Sequence, residues 1–145
     1  MKHTLISLFL LLSLTSVAQT RINWDILADV NFVVEYDETL GMSQNVPRFG
    51  EDPQQYEGEQ VSISGYTIPI DGTGKYYVLS KFPYSNCYFC GNAGPETIVE
   101  ISLKPKAQRR FKTDQRVTVV GKLQLNERDL YSLPYKLVEA EVEEL

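Results

Sequence analysis

Cys87 and Cys90 are the only two cysteines in the chain. They sit in Ser85-Asn86-Cys87-Tyr88-Phe89-Cys90-Gly91-Asn92-Ala93-Gly94-Pro95-Glu96, the segment richest in reactive groups. Two thiols separated by two residues support three chemistries. In an oxidising compartment they pair as a short-range disulfide, which stiffens the loop while removing little unfolded-state entropy. As thiolates they are half of a zinc site, which needs two further ligands. Without histidine these would be carboxylates such as Glu96 or Asp71, or a second pair across a dimer. Soft Cu(I) is also suited to two thiolates, with Met42 as a third ligand. The third chemistry, disulfide exchange, favours a thiol at a helix N-terminus within a βαβ setting, and Gly91-Asn92-Ala93-Gly94-Pro95 does not begin a helix readily. Covalent haem attachment needs a histidine after the second cysteine, where this chain has Gly91.

Aromatic residues crowd the same region. Tyr76, Tyr77, Phe82, Tyr84, Tyr88 and Phe89 fall within fourteen positions. Alternation along a strand assigns about half of such a set to the core. Tyr84, Tyr88 and Phe89, near the cysteines, are the candidate contact surface for a ligand or partner.

The N-terminus decides which of these chemistries are open. Lys2 and His3 precede an apolar stretch, Leu5 to Leu14, and Ser16-Val17-Ala18 supplies small residues at a cleavage site, so residues 1–18 read as a secretory signal peptide cut before Gln19. The apolar stretch is about ten residues, against the roughly 20 that span a bilayer. No comparable run follows, so no membrane span is expected after cleavage. The expected location is the periplasm or the secreted fraction. His3 is the only histidine, and it leaves with the leader, removing Ser-His-Asp and Cys-His catalysis from the mature protein. Losing Lys2 from the 14 basic residues leaves 13 against 19 acidic ones, a net charge of −6. That balance is unsuited to phosphate-directed nucleic-acid binding. Lys104, Lys106, Arg109, Arg110 and Lys112 then read as a solvated link, and Glu139, Glu141, Glu143 and Glu144 as a solubilising edge.

The elements that position the cysteine loop are β-strands. Gln60 to Ile68 alternates apolar and polar residues with period two and stops at Pro69. Asp71-Gly72-Thr73-Gly74 is turn chemistry leading into Lys75 to Ser80, a hairpin partner. Thr97 to Leu103, Gln115 to Leu125 and Tyr135 to Val142 complete five strands, with a short helical or irregular link between the third and fourth. Gly65 and Gly121 lie inside strands, where glycine permits a bend or bulge. The expected fold is all-β, a small OB-like Greek-key barrel over residues 60–145. Residues 19–59 form an N-terminal extension and loop packed on that barrel. Within the extension Trp24-Asp25-Ile26-Leu27 reads as a helical turn and Asn31 to Tyr36 as a strand. Gly41 to Gln55 reads as a long surface loop with an aromatic anchor at Phe49.

Trp24-Asp25-Ile26-Leu27 and Gly65-Tyr66-Thr67-Ile68-Pro69-Ile70, followed by a cysteine-bearing loop, resemble the DUF3299 family of small exported bacterial proteins of unknown function. The resemblance spans residues 24–142. It implies an exported β-barrel-like domain and, in some members, association with envelope transport systems. It supplies no catalytic residues. The combined expectation is a non-enzymatic exported binding or accessory module acting on an envelope protein or small ligand, with zinc or copper handling and thiol redox chemistry as the alternatives.

Overall fold

The computed structural model describes residues 19–73, 76–129 and 131–144, for Glu144 the backbone only. The expected signal peptide, 1–18, lies outside these residues. Ten elements matter here: β1 (Thr20–Arg21), α1 (Trp24–Leu27), β2 (Val30–Asp37), β3 (Met42–Phe49), α2 (Glu51–Gln54), β4 (Gln60–Pro69), β5 (Tyr77–Ser80), β6 (Ile98–Leu103), β7 (Gln115–Leu125) and β8 (Tyr135–Glu144). Among the described residues no helix is long and apolar enough to cross a membrane.

Five strands close into a barrel. The order runs β4-β5-β6-β8-β7, and β7 pairs back onto β4. All pairings are antiparallel except β6 with β8. This is the expected OB-like all-β arrangement. Alternation sends Val61, Ile63, Leu79, Val99, Ile101, Val117, Val119, Leu123 and Leu137 inward, each nearly or fully buried. Gly65 faces the same interior because no larger residue fits. A Cβ there would lie 2.5 Å from the Ser80 carbonyl oxygen and 3.0 Å from the Trp24 ring. Gly121 sits where the β7–β8 register shifts, opposite a stretch in which Glu139 has φ 50°, so this glycine marks a bulge.

The N-terminal segment is locked to the barrel. Asn23 caps α1 by accepting the N–H groups of Asp25 and Ile26 at 3.0 and 3.2 Å. The Trp24 indole N–H donates to the Ser64 carbonyl at 2.8 Å. Leu27 and Phe49 are buried in the main core. The Phe49 ring lies 5.2 Å from that of Tyr135, so it serves as the aromatic anchor.

Gly41 to Gln55 is not the expected loop. Met42–Phe49 pairs along its whole length with Val30–Asp37 as a separate two-stranded ribbon, and α2 follows. Over much of its length this hairpin is exposed on both faces, so Met42, Ser43 and Asn45 carry no apolar alternation to betray a strand. Asp37 begins its turn, accepting the Thr39 and Leu40 N–H groups. Gly41 completes it at φ 66°.

Tyr135, at the start of β8, is fully buried, and its hydroxyl donates to the Leu27 carbonyl at 2.7 Å. Burial first, then the charges of Asp29 and Glu96, push its hydroxyl well above the ordinary tyrosine range. The folded state therefore keeps a proton that the unfolded state loses near pH 10. The stability this confers is complete below about pH 10 and falls as pH rises above it. Tyr135→Phe should lose about 1–3 kcal/mol in urea unfolding at neutral pH, because the Leu27 carbonyl loses its buried donor. Its decline above pH 10 should be shallower than the wild type's, and equal slopes would contradict this assignment.

Candidate functional site

The cysteine loop spans 81–97 and is clasped at its stems. The Lys81 N–H donates to the Thr97 carbonyl at 2.9 Å, and the Ser80 hydroxyl accepts the Phe82 N–H at 3.2 Å. Three short 3-10 turns lie between: Tyr84–Asn86, Tyr88–Cys90 and Pro95–Thr97. Gly91, at φ 74°, ends the second in a left-handed conformation suited to glycine. Asn92 ties the loop to itself by donating to the Ser85 carbonyl at 3.2 Å. From the β6–β7 link, the Asp114 carboxylate accepts the Tyr84 N–H at 2.7 Å. Asp114 itself has φ 62°, a conformation short polar side chains tolerate.

The two cysteines have different roles. Cys87 is fully buried against Ile68 and Val78, with Leu133 packed on the same cluster. These residues lie on the outer side of the β4–β5 hairpin, because the inward positions of those strands are Ile63, Tyr77 and Leu79. Cys87 thus acts as a small apolar anchor holding the loop to the barrel wall. Cys90 is exposed, and its S–H donates to the Tyr84 carbonyl at 3.0 Å. Both are free thiols. The expected Cys87–Cys90 disulfide is therefore corrected. The two sulfurs are neighbours within side-chain hydrogen-bond reach but not bonded: Cys87 packs in the apolar cluster beneath the loop, and the Cys90 S–H is directed to a backbone oxygen on its surface. Loss of hydration, then the neighbouring Cys87, push the Cys90 thiol above its ordinary range. That is opposite to the depressed value that makes a thiolate nucleophile.

Nor do the proposed carboxylates join the pair. Asp71 accepts the Thr73 hydroxyl and the Tyr76 N–H, bracing its own turn. Glu96 is the middle residue of the loop's third 3-10 turn, Pro95–Thr97, and its charge acts on Tyr135. Met42 lies exposed on the separate hairpin. Among the described residues no three histidine, cysteine, aspartate or glutamate side chains converge as a metal-binding group.

What the fold does bring together is rings. Tyr77 is core, packed edge-on against Phe111 at 5.1 Å and accepting the Phe111 N–H. Tyr84, Phe89 and Tyr88 remain 50%, 47% and 37% exposed on this hydrogen-bonded loop. Tyr88 and Phe89 contact each other edge-on at 5.6 Å and point into different clefts. Tyr88 lines one of about 460 Å3 with Phe32 and Pro47 of the hairpin and Pro95. Phe89 lines another of about 350 Å3 with Ile70, Tyr76 and Tyr131. Ser132 and Leu133 belong to both.

That shared wall is the β7–β8 loop, folded around one residue. Asn126 donates to the carbonyls of Asp129, Ser132 and Leu133, while its own side-chain oxygen accepts the Asp129 N–H at 2.8 Å. Asp129 in turn accepts the Ser132 hydroxyl and the Tyr131 N–H. Tyr131, Leu133 and Asp114 are site residues that sequence reasoning missed. Only the pairing of distant strands places them beside the cysteine loop, and local spacing carries no sign of that.

No protein-family model, characterised protein or solved structure matches the chain. The resemblance to the DUF3299 family rests on the quoted motifs alone.

The two thiols should separate cleanly by alkylation. Iodoacetamide should label Cys90 in the native protein, more slowly than a free cysteine at neutral pH and faster as pH rises, and should reach Cys87 only on unfolding. Simultaneous labelling of both in the native state would contradict the anchor role of Cys87.

Proposed function

We propose that the chain is an exported, non-enzymatic binding or accessory module, and that it binds its small ligand or envelope partner through the rings of the Cys87–Cys90 loop. The observation that carries this reading is the exposure of Tyr84, Tyr88 and Phe89 on a loop held by Cys87, Asp114 and Asn92. Aromatic side chains lose little conformational entropy on binding and bury large areas, so rings presented in fixed positions make efficient contact residues. A loop already braced by its own hydrogen bonds has little ordering left to lose when it binds.

The thiols serve this role as structure. Cys87 sets the loop height over Val78, and Cys90 closes the second 3-10 turn on the Tyr84 carbonyl. The leader read from residues 1–18 and the DUF3299 resemblance support an envelope or extracellular setting.

A fragment screen read by backbone and aromatic NMR shifts tests the proposal without knowing the natural ligand. Binding hot spots capture small apolar fragments weakly but repeatedly. Shift changes should concentrate on Tyr84, Tyr88 and Phe89 and on the 131–133 segment. Changes centred instead on the cleft between Lys104, Arg109 and Glu141, or scattered over the surface, would overturn the proposal.

A further inference from the structure

The cleft beneath Phe89 has a feature that plain apolar contact does not require. Tyr76, Tyr131 and Phe89 line it, with Ile70 and Leu133, and Glu100 is its one charged residue among the described ones. Glu100 stands on β6 with its side chain half-buried, in register with Val78 on one side and Lys136 on the other. Lys136 is the cation placed to neutralise it, yet the Lys136 ammonium is committed elsewhere. It lies 2.6 Å from the Ser132 hydroxyl and 3.8 Å from the Asp129 carboxylate. The Glu100 side chain has no hydrogen-bond or ion-pair partner among the described residues. Among the described residues no buried side-chain oxygen lacks a partner, so the unpaired Glu100 carboxylate is one that solvent reaches, and a cation entering the cleft can reach it too.

We infer that this cleft is a binding site for a small organic ammonium ion, with Glu100 as counter-charge, the rings of Tyr76 and Phe89 as cation–π partners, and Tyr131, 98% exposed, free at the rim to fold over the ligand. The inference rests on the ring-surface reading and names its ligand class. Three features select that class. Ring faces carry negative potential and attract a cation placed over them, an effect that grows as water is excluded. One carboxylate among rings and aliphatics suits a diffuse, weakly hydrated charge such as a quaternary ammonium better than a compact metal ion, which needs several oxygen ligands. A volume of about 350 Å3 is at the lower end for ligand pockets and fits a small molecule. The chain's acidic balance, −5 overall, adds a long-range attraction for cations.

Choline chloride and its neutral carbon isostere, 3,3-dimethyl-1-butanol, are probes of nearly the same shape that differ in charge. They are titrated into the mature protein at matched ionic strength and followed by NMR shifts of Tyr76, Phe89 and Glu100. Choline should bind saturably, and the isostere at least about fivefold more weakly, as expected when one charge contact is lost. Glu100→Gln should weaken choline by a similar factor while leaving the isostere unchanged, and Phe89→Ala should weaken both. Equal affinity for the two probes, unchanged choline binding in Glu100→Gln, or no choline binding at all would overturn the ammonium site. If fragments still gather on Tyr84, Tyr88 and Phe89 in that case, the ring-surface reading survives it. If they do not, both fall.

Discussion

A single buried hydrogen bond, from the Tyr135 hydroxyl to the Leu27 carbonyl, joins the two ends of the folded chain. Leu27 ends the first helical turn, and Tyr135 opens the last strand. The same ring packs on Phe49 at the base of the hairpin. Three segments that are far apart in sequence therefore meet on one side chain. The barrel interior supplies ordinary hydrophobic stabilisation, which is non-directional. The tyrosine adds direction, because only one placement of α1 satisfies its hydroxyl. Fixing the start of β8 also fixes the β7–β8 loop before it, and that loop is the shared wall of both clefts.

The outer face of the barrel carries the functional argument. A small barrel normally leaves the outward side of its strands to water, but here Ile68 and Val78 are apolar and buried under Cys87 and Leu133. The two loops that cover them, β5–β6 and β7–β8, are separated in sequence by two strands. Their edges leave rings exposed, and the cleft lined by Phe89 holds Glu100, which has no ion-pair partner among the described residues. Stability and the proposed binding thus share one construction: the apolar contact beneath the loops positions the groups that remain exposed above.

The barrel strands were legible in the sequence because burial on one face imposes period two, plain in Val61 to Ile68 and Val117 to Leu125. The hairpin strand Met42–Phe49 was not, since only its last residues, Pro47 and Phe49, are buried, and Met42 to Asn45 carry no apolar alternation. The cysteines show a different limit. Their spacing is compatible with a bridge, a metal or redox chemistry, and what decides between them is whether Val78 and Ile68 need a cover, which depends on strand pairing. Tyr84, Tyr88 and Phe89 could be singled out by composition and turn context. Glu100, Tyr131 and Leu133 join them only through the β5–β6 and β6–β8 pairings. Glu100 in particular reads locally as one more outward polar residue of a half-buried strand.

The central claim is that this surface binds through its rings and not through its thiols. Ligand affinity of Cys90→Ser and Phe89→Ala, measured side by side by NMR titration with the best fragment that the wild type captures, tests it most directly. Cys90→Ser should bind within about twofold of the wild type, and Phe89→Ala at least about fivefold more weakly. Loss of binding in Cys90→Ser with binding retained in Phe89→Ala would contradict it.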